Sequence, residues 1–299
     1  MMQRLDQQFI ATVAYADVFD YPLMREELTR WFIGNSAGRV LPQGVVEKEG
    51  YFVLSGRERI ITLRRSRERF AKTKWKRITK LARIFRLIPT VMLVGVTGGL
   101  AMNNARVGDD IDLFFITRRG TLWITRMLTT LFAECLRLRR RPNDRWVKDK
   151  ICLNMFISEQ SLVLPASERD LFSAHEVLQM VPLWERGDAY RTFLLANRWV
   201  KDFLPNAYKE AYQGIRIRYH GQKIPRSIIR NTMTVILRLF EPIAKYLQLW
   251  YMRNKRTNEV IRSGMIRFHP RDARGWVREK FAKRIGRWNI PLDKFFYHR

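Results

Sequence analysis

Val91-Met92-Leu93-Val94-Gly95-Val96-Thr97-Gly98-Gly99 is followed, after ten residues, by Asp110-Ile111-Asp112-Leu113-Phe114-Phe115-Ile116. The first string is a short β-type apolar run that ends in a glycine pair. Two glycines let the backbone turn sharply and approach a ligand with no Cβ in the way. A short helix starting at Leu100 would then aim its first amides at an anion above the turn. The second string is a strand in which Asp110 and Asp112 share one face, about 7 Å apart at Cα. Ile111, Leu113 and Phe115 take the other face, toward a core. Two ionised carboxylates side by side repel unless a cation lies between them. A pair of Mg²⁺ ions bridging carboxylates and substrate phosphates is the arrangement that phosphoryl chemistry uses.

The same stretch includes the longest uncharged run, the nineteen residues Leu87 to Ala105. Its length would suit a membrane span. Pro89, Gly95, Gly98, Gly99, Asn103 and Asn104 instead make it a strand plus a turn.

Gly98-Gly99, a ten-residue spacer and Asp110-Ile111-Asp112, set between strands, resemble the polymerase-beta-type nucleotidyltransferase superfamily. The match covers roughly residues 90–160. The resemblance implies a mixed sheet with helices, with Gly98 and Gly99 holding nucleotide phosphates and Asp110 and Asp112 binding two Mg²⁺ ions. It implies transfer of a nucleoside monophosphate from a nucleoside triphosphate to an acceptor hydroxyl. The superfamily carries a third acidic position on a later strand. Here that strand is Ile151-Cys152-Leu153-Asn154-Met155-Phe156-Ile157, and alternation puts Cys152, Asn154 and Phe156 on one face. Asn154 is therefore the matching catalytic position. Its amide oxygen can coordinate a metal, yet the amide cannot take a proton. Asp109 is read as a strand-entry residue.

Charge is distributed unevenly around this core. The 299 residues hold 56 Lys+Arg and 28 Asp+Glu, a net charge of +28. Residues 63–90 carry +10 and residues 220–299 carry +14, whereas residues 1–62 carry −1. A hydrophobic content of 46% excludes wholesale disorder. Two cysteines and four scattered histidines exclude a zinc cluster and a disulfide framework, so a reducing cytoplasm is expected. Met1 to Phe9 has no signal-type apolar run.

Residues 64–87 read as one basic helix with a buried stripe of Ala71, Trp75, Ile78, Ala82 and Phe85. Its other faces, Arg64, Arg67 and Lys74 included, are expected in solvent or against an anionic partner such as RNA. Residues 1–62 hold two helices and a hairpin around Glu49-Gly50, a reduced winged-helix-like module. The acidic balance and missing third helix favour packing or protein contact over DNA readout. Residues 161–299 carry no motif and read as a helical, basic region. Within it, Ser227 to Met252, bent at Pro242, is expected to be a core helix pair rather than an interfacial membrane helix. Asp272 is expected to cap a helix from Ala273 to Arg287, with His269 in a structural role.

The expected architecture is α/β in four parts: residues 1–62 as the N-terminal module, 63–90 as a basic connecting helix, 91–160 as the nucleotidyltransferase core and 161–299 as the C-terminal region. The expected function is that of a Mg²⁺-dependent nucleotidyltransferase acting on a nucleoside triphosphate, with RNA or another anionic acceptor. The alternative is a catalytically weak relative that binds nucleic acid or a protein through its basic surfaces. Peripheral membrane contact is the third reading.

Overall fold

The computed structural model describes residues 4–35, 40–141, 144–219, 228–253, 260–267 and 273–296. The expected turn at Phe268–Asp272, with His269 and the Asp272 cap, lies outside the described residues. In chain order the elements begin with α1 (Arg4–Val18), β1 (Leu23–Met24), α2 (Arg25–Arg30), β2 (Val45–Lys48), β3 (Tyr51–Leu54) and α3 (Ile60–Phe85). Next come β4 (Val91–Val96), α4 (Gly98–Ala101), β5 (Ile111–Thr117), α5 (Leu122–Cys135), β6 (Ile151–Ser158), α6 (Leu171–Gln179) and β7 (Val181–Glu185). The chain continues through α7 (Ala189–Ala196), α8 (Pro205–Tyr219), α9 (Ile228–Leu239), α10 (Glu241–Met252), β8 (Val260–Arg262), β9 (Met265–Arg267), α11 (Ala273–Ile285) and α12 (Asp293–Phe296).

The fold is mixed α/β around a six-stranded sheet of order β7-β4-β5-β6-β9-β8. Only β5 and β6 run parallel, as a connection through α5 requires; the other neighbours are antiparallel. A small antiparallel sheet, β1-β3-β2, stands beside it. Its hairpin turns at Glu49 and Gly50, both at positive φ, the backbone a two-residue hairpin needs.

Alternation along β5 divides the molecule. Ile111, Leu113 and Phe115 join one core with Ala71, Ile78, Ala82 and Phe85 of α3, Leu122 and Ile124 of α5, and Ala244 of α10. Phe114 and Ile116 face the opposite core, which includes Phe9 to Val18 of α1, Ala174 and Leu178 of α6, and Val277 and Phe281 of α11. This second core joins the N-terminal segment, the sheet and the C-terminal region. The buried Asp17 ties the first of these to the last, pairing with Arg57 within the N-terminal segment and with Arg284 of α11.

Three expectations need correction here. Residues 161–299 are not only helical, since they supply β7, β8 and β9. These strands have three to five residues, too short to show an alternating pattern. On α3, Arg64, Arg67 and Lys74 are buried, not solvated, whereas Trp75 is only half-buried. Arg64 is held by Glu27, Glu68 and the Pro22 carbonyl, and Lys74 by Asp149 and the Asp109 carbonyl. Long cationic stems pack on apolar surface when their heads find partners, which a count of charges does not reveal. Finally, α9 and α10 break at Phe240 with Pro242 in the first turn of α10. They do not form a core pair: most of their large apolar side chains are exposed.

Candidate functional site

The site forms where β4 turns into α4 across the start of β5. The Thr97 amide donates to the Asp112 carbonyl at 3.0 Å, which ties the turn to the strand. Gly98 then takes φ +66°, a region open to glycine at little cost. A Cβ on Gly98 would lie 2.7 Å from the Asp112 carboxylate oxygen, so glycine is needed there for space as well as for conformation. The helix that follows is a single turn, Gly98–Ala101, shorter than expected.

Asp112 faces Cys152 across the parallel β5–β6 register. Ligand atoms of Asp110, Asp112 and Cys152 lie within 4.8 Å of one another. Arg140, on the segment entering β6, donates from Nη1 to Asp110 at 2.7 Å and lies 3.9 Å from the Cys152 sulfur. Burial first, and the neighbouring Asp110 second, push the Asp112 carboxyl up to about 7. Burial and the two carboxylates likewise push the Cys152 thiol well up, so sulfur here is a protonated donor and not a thiolate. The group set fits a hard cation in part. The carboxylates offer hard oxygens, and Asp110 adds to burial in raising Asp112, with Arg140 opposing. A neutral thiol adds no oxygen ligand, so a Mg²⁺ ion held here would keep several waters or phosphate oxygens.

Asn154 is not the residue opposite Asp112. The register pairs Leu113 with Leu153 but Phe114 with Met155, so Asn154 is the extra residue of a bulge. The bulge reverses the alternation, and Phe156 turns to the opposite core, where it stacks on Phe115 at 4.9 Å. Asn154 stays on the carboxylate side, 5% exposed, and its Oδ1 has no partner among the described residues. It lines a cavity of about 330 Å³ with Thr97, Phe114, Glu176 and Arg274.

Glu176 on α6 reaches that cavity and a second one of about 110 Å³. Burial pushes its carboxyl up to about 7, with Arg267 pulling the other way. The second cavity lies between Gly98-Gly99 and the rings of Tyr15, Tyr21, Trp31 and His175. His175 stacks on Tyr15 at 4.1 Å, and burial lowers its pKa to about 3. Its Nδ1 accepts from Gln179, which leaves the proton on Nε2, an atom with no partner among the described residues.

The structure thus brings Gly98, Asp110 and Asp112 together and leaves Asn154 one step away. Sequence reasoning put Cys152 on the candidate face without giving it a role, and missed Arg140 and Glu176. Reading Asp112 and Cys152 as ladder partners would have found the cysteine; Glu176 carries no local signal. Comparison with protein-family models, with curated proteins and with solved structures gives no match.

Proposed function

We propose that this chain is a Mg²⁺-dependent nucleotidyltransferase of the polymerase-beta type, with a reduced winged-helix-like module at its N-terminus. The contact between Gly98 and the Asp112 carboxylate carries the reading. Two residue types that phosphoryl transfer needs, fourteen positions apart in the chain, meet with no room for a side chain between them. Asp110 and Asp112 would hold the metal, which when bound neutralises charge on the triphosphate. Asp112, raised to about 7 by burial and by Asp110, would give up its proton on holding a cation. Arg140 keeps a guanidinium beside Asp110, with donors left over for a phosphate oxygen. The bare Gly98-Gly99 backbone admits the phosphates, and the aromatic rings beside it offer a base a stacking surface. Glu176, raised to about 7, is the carboxyl suited to take the proton of the acceptor hydroxyl.

One observation favours a second reading, a catalytically weak relative that binds nucleic acid or a protein. A thiol, not a carboxylate, stands opposite Asp112. Incubation of a mixed acceptor pool with labelled nucleoside triphosphates and Mg²⁺, followed by mass spectrometry, separates the two. The proposal expects an acceptor gaining one nucleoside monophosphate, and no gain with Asp110→Asn. Nucleotide binding without transfer to any acceptor would favour the second reading.

A further inference from the structure

Helices α9 and α10 carry an apolar surface that the fold does not cover. Ten of the twenty-three exposed large apolar side chains among the described residues fall between Met233 and Tyr251. Leu239 is 73% exposed, Tyr246 70% and Trp250 68%, with Ile236, Ile243 and Leu247 about half exposed. Monomeric proteins rarely leave a contiguous apolar patch of this kind unless it binds something. The helices are held in place from beneath. Glu241 accepts from the Trp123 and Ile124 amides, both at 2.9 Å, capping α5, and Gln248 donates to the Trp123 carbonyl. Arg238 donates to the Arg119 carbonyl. The exposed face is therefore fixed outward.

Charge decides what covers it. Glu241 is the only carboxylate on the two helices, and it is spent on α5. Lys245 and Arg253 stand exposed beside the apolar side chains. Helix α3 shares one core, and so one side of the sheet, with α5 and α10. Its exposed Arg69, Lys72, Lys76, Lys80 and Arg83 have no ion-pair partner among the described residues. Apolar and cationic surfaces thus share one side of the molecule, with aromatic Trp250, Tyr246 and Tyr251 among the apolar side chains. An amphipathic helix with aliphatic residues, interfacial Trp and Tyr, and flanking Lys and Arg lies in the plane of a lipid surface. No described helix is long and apolar enough to cross a membrane.

We infer that this side of the molecule docks on an anionic membrane surface, with α9 and α10 inserted at headgroup level and α3 paired with lipid phosphates. The 299-residue chain is sedimented with phosphatidylcholine vesicles and with vesicles containing about 30% phosphatidylglycerol, a composition that makes the surface potential negative. The chain should pellet with the anionic vesicles and stay largely in solution with the neutral ones. Leu239→Glu, Tyr246→Glu and Trp250→Glu combined should cut partition by more than about a hundredfold, since three apolar side chains lose their burial. The substituted positions are exposed, so circular dichroism should be unchanged. Charge reversal at Lys72, Lys76 and Lys80 should weaken anionic binding roughly fivefold per cation, an effect that high salt erases. Wild-type chain left in the supernatant with anionic vesicles would overturn the inference. So would equal partition onto both compositions. A vesicle-free dimer that the triple Glu variant converts to monomer would assign the face to a second copy and overturn it as well.

Discussion

The two faces of the central sheet are built from the same strands and could hardly be packed more differently. On the α3/α5/α10 side, Phe115 stacks on Phe156, and Phe85 meets Phe115 edge-on at 5.4 Å. The hydroxyls there are satisfied: Thr125 donates to Thr90 at 2.7 Å. Three residues back along β5, Asp112 lies on the opposite face, the side that holds cavities of about 110 and 330 Å³. Apart from arginine nitrogens, every buried side-chain polar atom lacking a partner among the described residues lines one of those cavities: Thr97, Asn154 and His175. Each such atom costs about 1–3 kcal/mol. One face spends its residues on stability, and the other keeps room, charge and unpaired polar atoms for something that arrives later.

Substitutions close together on one strand can break this comparison. Phe115→Ala should cost about 3–5 kcal/mol, because it empties a closed aromatic stack. Asp112→Asn, three residues back on the other face, should leave the metal-free protein as stable or slightly more so, since it relieves repulsion from Asp110. Chemical denaturation of both variants measures the contrast. Equal losses would mean that the carboxylate face contributes to packing as strongly as the other.

A smaller effect sharpens the comparison through pH. Asp112 and Glu176 have folded-state pKa values near 7, above those of the unfolded chain. Between about pH 4 and pH 7 the unfolded chain therefore loses protons that the folded protein keeps, and stability from these two groups falls as pH rises, levelling off above 7. Asp112→Asn and Glu176→Gln should each flatten part of that slope in melting curves without metal, and Mg²⁺ should flatten the Asp112 part in the wild type. An unchanged slope in both variants would show that neither carboxyl is held protonated.

Part of this is legible in the sequence, and the rest is hidden for identifiable reasons. The run around Gly98-Gly99 reads as strand and turn because its breakers sit too close together for a helix, and β4 and β5 follow the alternation of Val94, Val96, Ile111 and Leu113. Alternation misplaces Asn154 because a bulge adds one residue to a strand without changing composition, and only the ladder beside it shows where. Arg64 and Lys74 read as surface because partners for buried cations, Glu27 and Asp149, lie 37 and 75 residues away. The apolar run of residues 227–252 reads as inward-facing because apolar spacing marks a face without saying what meets it. Glu176 enters the site from α6, on the carboxylate side of the sheet, and nothing near it in the chain announces that.

The most direct test of the central claim is calorimetric titration of the wild type, Asp110→Asn and Asp112→Asn with a nucleoside triphosphate, with and without Mg²⁺. The account predicts binding by the wild type that requires Mg²⁺, and loss of that binding in both variants while each stays folded. Unchanged nucleotide affinity in both variants would contradict it and remove the metal from Asp110 and Asp112.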